Sequence, residues 1–324
     1  MAARIPRAIG RALLTPPLAD VGFTRRGFPG RDAPAARALE AIPESVICGF
    51  EWGMEAQRLW EVERRLETVE AALRGFAYEG TTMAFTVRDA LPFGPSDRTR
   101  TLMDGPARPH TFLAYIGIGF AMARLPRALW KGVLPDLTDN PYHPTMSWLA
   151  VDGYGFDLAY FHTRRWVARQ EVPRPYPWLG DADYFSRAVD QGIGRALWFI
   201  HGARCPQVAE AVRAFPEGRR ADLWSGVGLA ATFAGGSGEE ELKELFRSAG
   251  PAGPHVAQGA VFAAKARVYS GCVPDHTETV VRALTGMDAA GAAALADDHV
   301  VEPGGHDGVP AYEIWRSGIR ENFR

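Results

Sequence analysis

The chain has 324 residues, 47% apolar and 23% charged, and its 36 basic and 38 acidic side chains leave a formal charge of -2. So even a balance leaves no basic face to neutralise a row of phosphates, which argues against nucleic acid as a partner. Cys48, Cys205 and Cys272 lie far apart without CxxC or Cys/His ligand spacing, so neither a disulfide framework nor a metal site is expected, and a reducing cytoplasm fits best.

The first 36 residues form a basic N-terminal segment. Within it Met1 to Leu14 is Arg-rich and acid-free, with Ile5, Ile9, Leu13 and Arg4, Arg7, Arg11 at helical spacing. That pattern fits a helix packed on its own domain, and also an amphipathic helix lying on a membrane surface through residues 1–14. A secretion signal is not expected, because a continuous apolar stretch and a small-residue cleavage site are missing. No apolar run approaches the roughly 20 residues of a membrane-spanning helix. The densest stretch, 111–123, is interrupted by glycines and closed by Arg124 and Pro126.

Further along, six segments share a core of small residues, among them Tyr115-Ile-Gly-Ile-Gly119, Asp152-Gly-Tyr-Gly155 and Trp224-Ser-Gly-Val-Gly228. Their first glycines stand at 80, 117, 153, 192, 226 and 259, intervals of 37, 36, 39, 34 and 33 residues, and a degenerate seventh copy spans Gly49 to Trp60. Such an interval is the length of a helix-turn-helix repeat. Gln207 to Phe215, Glu239 to Ser248 and Thr277 to Leu284 supply the second helices, separated by Pro206, Pro216, Gly235-Gly236, Gly250-Pro251 and Pro274. A glycine inside a helix costs about 0.5–1 kcal/mol relative to alanine, so a recurrent register of glycines predicts close packing of neighbouring helix backbones. A dinucleotide-binding reading fails, since the third glycine and a preceding strand are both missing.

Proline-rich stretches at 131–146 and 171–183 read as loops over one face. The tail from 286 to 324 reads as a capping region: an Ala/Gly-rich loop carrying a solvated Asp297-Asp298 pair, then a helix from Tyr312 to Phe323. The predicted fold is therefore all-α, a single tetratricopeptide-like solenoid domain over 1–324 with about six to seven helix pairs.

Strong catalytic motifs are absent, and nothing in the sequence specifies a cofactor. Attention falls on polar residues just before the repeat glycines, where an apolar helix face does not need them. Stacked repeats would set equivalent positions in a row, so Glu79, Asp152 and Asp190 are the candidate catalytic carboxylates. Burial beside aromatic rings would raise their pKa values and suit them to proton transfer. Tyr78, Tyr115, Gln191, Trp224, Gln258 and Lys265 are the candidate substrate-binding residues on the same groove, whose aromatic content suits a flat or elongated apolar ligand. The competing reading is structural: each polar group satisfies an adjacent helix end, and the tryptophans are interhelical packing.

The segments Phe23-Thr-Arg-Arg-Gly-Phe28, Arg74-Gly-Phe-Ala-Tyr-Glu-Gly80, Asp190-Gln-Gly-Ile-Gly-Arg195 and Ala257-Gln-Gly-Ala-Val-Phe-Ala-Ala-Lys-Ala-Arg267 resemble an actinobacterial family of unknown function found in enediyne antibiotic gene clusters. The likeness runs from about residue 10 to 324. It implies a place in converting a linear polyene polyketide into an enediyne core, with other pathway proteins as partners, a membrane protein among the candidates. It supplies no catalytic residues. Two readings follow: a protein acting on or presenting the polyene, and a non-catalytic helical scaffold docking other enzymes.

Overall fold

The computed structural model describes residues 18–91, 97–137, 139–303 and 308–324. The expectations for residues 1–14 lie outside them. Among the described residues the secondary structure is helical and no strand forms, apart from one isolated bridge between Trp178 and Asp181. The chain is all-α, as its glycine and proline punctuation predicted.

After one helical turn at Phe23–Arg26, fourteen α-helices follow among the described residues: α1 Ala36–Glu55, α2 Leu59–Glu67, α3 Ala71–Ala90, α4 Arg98–Asp104, α5 Thr111–Met122, α6 Trp148–Phe161, α7 Phe185–Ile200, α8 Cys205–Arg213, α9 Glu217–Ala234, α10 Glu239–Ala249, α11 Gly253–Tyr269, α12 Asp275–Thr285, α13 Ala289–Asp298 and α14 Ala311–Glu321. Local chemistry sets several ends. Pro206 sits in the first turn of α8, where its missing N–H costs nothing. Gly286 stops α12 in the left-handed conformation at φ 75°. Asp288 caps α13 by accepting from the Gly291 N–H at 2.7 Å.

Two kinds of helix result. All 12 residues of α5 are buried, and α3, α6, α7, α9 and α11 are buried on most of their circumference; helices apolar all round belong inside. By contrast α10 buries only Leu242, Leu245 and Ala249, one narrow stripe, and leaves its glutamates in water.

The glycines hold the inner helices together. In α5, α6, α7 and α9 they come in pairs two residues apart, and two residues are about 200° of helical rotation, so the members of a pair face opposite neighbours. A Cβ on Gly153 of α6 would stand 3.0 Å from the Ile116 carbonyl carbon of α5, and one on Gly155 would stand 2.9 Å from the Val189 carbonyl carbon of α7. Gly117 and Gly119 of α5 press likewise on α3 and α6, and Gly226 and Gly228 of α9 on α7 and α11. Backbone therefore lies on backbone along the succession α1, α3, α5, α6, α7, α9, α11.

Contacts also join helices far apart in that succession. Phe76 of α3 meets Phe233 of α9 edge-on at 6.1 Å, Phe112 of α5 meets Tyr269 of α11 at 5.7 Å, and Arg267 Nη1 of α11 donates to the Ala72 carbonyl of α3 at 2.9 Å. The early and late inner helices thus close around a shared interior. At the chain's end, α14 is locked in by Arg316, which is 0% exposed and pairs with Glu313 at 2.6 Å and Asp222 at 3.0 Å. The tail differs from its sequence reading: residues 289–298 are helix α13 rather than loop, and Asp297 accepts from Lys265 Nζ at 2.6 Å and from the Tyr142 hydroxyl at 3.3 Å. Alanine-rich sequence between a capping aspartate and a closing turn is good helix material, which explains the difference.

Candidate functional site

An apolar space lies inside the ring of inner helices, a narrow slot with about 670 Å³ of empty volume, its open mouth included. Val46 and Ile47 of α1 form one side. Phe76 and Met83 of α3, Phe120 of α5, Phe156 and Tyr160 of α6, Phe199 of α7 and Phe233 of α9 supply most of the rest. The lining is that of a small-molecule site, apolar walls with a few polar groups converging on them. Four charged side chains line it: Glu79, Arg124, Asp157 and Arg195.

Position relative to the glycines orders the lining. Met83, Phe120, Phe156 and Arg195 each follow the second small residue of their motif; Arg124, Tyr160 and Phe199 stand four residues after the last three, and Phe233 stands four after Leu229, the corresponding residue of α9. Residues i and i+4 share one helix face, so α6 and α7 each present such a face to the slot.

Glu79 lies in the middle of α3, 2% exposed, and its Oε2 has no hydrogen-bond partner. Burial raises its pKa to about 8; Arg195 opposes the rise and Asp152 adds to it. At neutral pH it is a protonated carboxylic acid facing an apolar space. Arg195 pairs with Asp152, joining α7 to α6 beside Glu79, and Arg124, in the turn after α5, pairs with Asp157 of α6. Burial raises both aspartates and their arginines pull them back down. Arg195 also lies 5.0 Å from the Phe156 ring centre and Arg124 5.1 Å from that of Phe161, contacts that favour a cation over an aromatic face.

Of the residues predicted from sequence, Glu79 lines the slot and Asp152 reaches it through Arg195. The rest do not form the expected groove. Asp190 is held by Arg219 at 2.6 Å, and burial, opposed by that arginine, brings it up to about 6. Gln191 donates to Asp222 at 3.0 Å and Tyr184 at 3.2 Å, while Gln258 accepts from Ser225 at 2.9 Å and Arg316 at 2.9 Å, so both belong to the buried network under α14. Tyr78 stacks on His110 at 4.8 Å in a separate apolar cluster with Val62 and Leu66. The Tyr115 hydroxyl meets His143 Nδ1 at 3.0 Å. Trp224 is core packing at 2% exposure, and Lys265 is bound to Asp297. The expected row is dispersed because, of the residues before the first glycines, Glu79 lines the slot while Asp190, Gln191, Gln258 and Trp224 are taken up by helix interfaces, whereas Phe120, Phe156 and Arg195, each after a second glycine, face the slot. Sequence reasoning missed Arg124, Asp157, Arg195 and the phenylalanines for this reason. Their signal was the charged residue that interrupts an otherwise small and apolar register at Arg195 and Asp157.

Among the described residues no group of three or more His, Cys, Asp and Glu side chains is placed to hold a metal ion. No helix of the described residues is long and apolar enough to cross a membrane.

The molecule is thus an all-helical protein built around an apolar slot with a buried carboxylic acid in its wall. Residues 5–323 match the family model described as protein of unknown function (DUF1702), and the chain belongs to that family. No curated protein and no solved structure matches it.

Proposed function

We propose that the protein binds an elongated apolar molecule in the slot and that Glu79 exchanges a proton with it. The observation that carries this reading is the unpartnered Glu79 carboxyl, set among aromatic walls and raised to about 8. A buried carboxyl without a partner is destabilising, and such groups cluster where proton transfer is wanted. Arg195 and Asp152 tune its proton affinity in opposite directions. The resemblance to enediyne-cluster proteins supplies the ligand class: a linear polyene, long, unsaturated and apolar, suits a narrow slot walled by phenylalanines. In this reading the protein acts in the cytoplasm during enediyne core formation.

A helical-hairpin repeat supports the same picture. Gly49 faces Ala77 and Gly53 faces Thr81, equal offsets that fit parallel neighbours, and equivalent positions of successive repeats line the slot. The solenoid of this proposal curls back on itself instead of remaining open. A second reading, a non-catalytic scaffold for other pathway enzymes, draws on the pairing of Asp152, Asp157 and Asp190 with arginines, since paired carboxylates are the ordinary furniture of a structural core.

Incubation with a linear polyene, alone and with the pathway's other proteins, separates the two. A proton-transferring enzyme loses about 100-fold or more in rate on Glu79→Gln while staying folded. Unchanged turnover, or pathway output equal to wild type from the folded variant, eliminates the catalytic role.

A further inference from the structure

Arg267 on α11 is 4% exposed, yet no ion pair joins it to a carboxylate among the described residues. Arg124, Arg195, Arg219 and Arg316 all have carboxylate partners. Arg267 instead donates from Nη1 to the Ala72 carbonyl at 2.9 Å and from Nη2 to the Phe233 carbonyl at 2.8 Å, and its buried Nε has no partner. The rings of Phe76 and Phe233 flank the guanidinium at 5.3 Å each. Phe233 lies at the C-terminal end of α9, where the helix dipole offsets about half a charge. The remainder is unbalanced, and an uncompensated buried charge is strongly destabilising.

Arg267 also lines a second, smaller cavity, with about 290 Å³ of empty volume counting its open mouth, shared with Gly75, His110, Leu113 and Ser270. The charges facing His110 are those of Arg74 and Arg267; burial, aided by these two cations, lowers its pKa to about 4. A neutral imidazole offers one ring N–H. Gly75 packs tightly on this wall: a Cβ there would stand 2.7 Å from Leu113 Cδ1 and 3.2 Å from His110 Nδ1.

We propose that this cavity binds a small singly charged anion, chloride or the carboxylate of a small acid, against Arg267 with His110 as a second donor. One guanidinium supplies one charge, and phenylalanine walls give a multiply charged phosphate no further compensation. Phe233 borders both this cavity and the slot, so the anion would also steady a ring that walls the slot. The inference does not depend on the slot's own function.

The test is thermal unfolding of the full chain at fixed ionic strength, with sodium gluconate, too bulky for the cavity, replaced stepwise by sodium chloride in one arm and sodium acetate in the other. Saturable rises in Tm of about 3 °C by roughly 0.1 M are expected. A rise with chloride alone identifies a halide site, with acetate alone a carboxylate site, and with both a general monoanion site. Arg267→Gln and Gly75→Ala, the latter placing a methyl beside His110, are each expected to flatten the response. Excess 35Cl line broadening by the wild-type protein, relieved by acetate, provides a readout that needs no variant. A flat Tm in both arms with no excess broadening, or an identical rise in Arg267→Gln, would overturn the proposal and leave Arg267 as a helix-end cap.

Discussion

Gly194 and Leu223 stand so close that a Cβ on the glycine would lie 2.7 Å from the leucine's carbonyl carbon and nearer still to its oxygen. The carbonyl is part of α9, which has no flexible end to swing away. Gly194→Leu is therefore expected to destabilise the protein by about 3 kcal/mol, at the upper end of overpacking costs. Gly218, also on α9, has nothing within 4 Å of its Cβ position, and Gly218→Ala is expected to be neutral or stabilising by about 0.5–1 kcal/mol. Urea unfolding of the two variants checks both, and equal stabilities would refute the packing account of the repeat glycines.

Glu79 makes stability depend on pH with a definite sign. Its ordinary pKa of 4.5 is raised to about 8 in the folded protein, so between those values the folded state holds a proton that the unfolded state has released. Stability then falls as pH rises through this window, by up to a few kcal/mol. Glu79→Gln removes that slope. Unfolding free energies measured at intervals across the window should converge for the two proteins at the acid end and favour the variant at the alkaline end; parallel curves would show that Glu79 has an ordinary pKa.

Asp152 and Arg195 set the proton affinity of Glu79 in opposite directions. Asp152→Asn removes a negative neighbour and frees Arg195 to attract the glutamate, so the Glu79 midpoint is expected to fall. Arg195→Met is expected to raise it. Each removes one partner of a buried pair and should cost about 3–5 kcal/mol. A Glu79 titration unmoved by either substitution would separate the pair from the site.

Asp190 gives the contrasting case. Its partner is Arg219 and it does not line the slot. Asp190→Asn is expected to lower Tm while leaving polyene affinity and any turnover at the wild-type level. Loss of binding at unchanged stability would return Asp190 to the functional residues.

The glycine register was legible in sequence because a backbone contact needs the same residue type at every recurrence. Gly117, Gly153, Gly192, Gly226 and Gly259 all lie against the preceding inner helix. The face presented to the interior was not legible from the same pattern. It depends on how the two glycines of a motif divide the helix circumference between two neighbours, and only then do Phe120, Phe156 and Arg195 become equivalent. Glu79 was found through the oddity of a carboxylate beside a packing glycine. The same reasoning misplaced Asp190, Gln191 and Gln258, because an identical sequence position is answered by Arg219 or by the network around Arg316, partners that arrive from 29 to 58 residues further on or from a remote hydroxyl such as that of Tyr312.

The slot's buried acid is tested most directly by following the Glu79 side-chain carboxyl carbon by 13C NMR from about pH 4 to about pH 10, assigned with Glu79→Gln and repeated with a linear polyene bound. The predicted result is a midpoint near 8 in the free protein, moved higher when the polyene excludes water from the slot. A midpoint near the ordinary 4.5, or a titration that the polyene leaves unchanged, would contradict it.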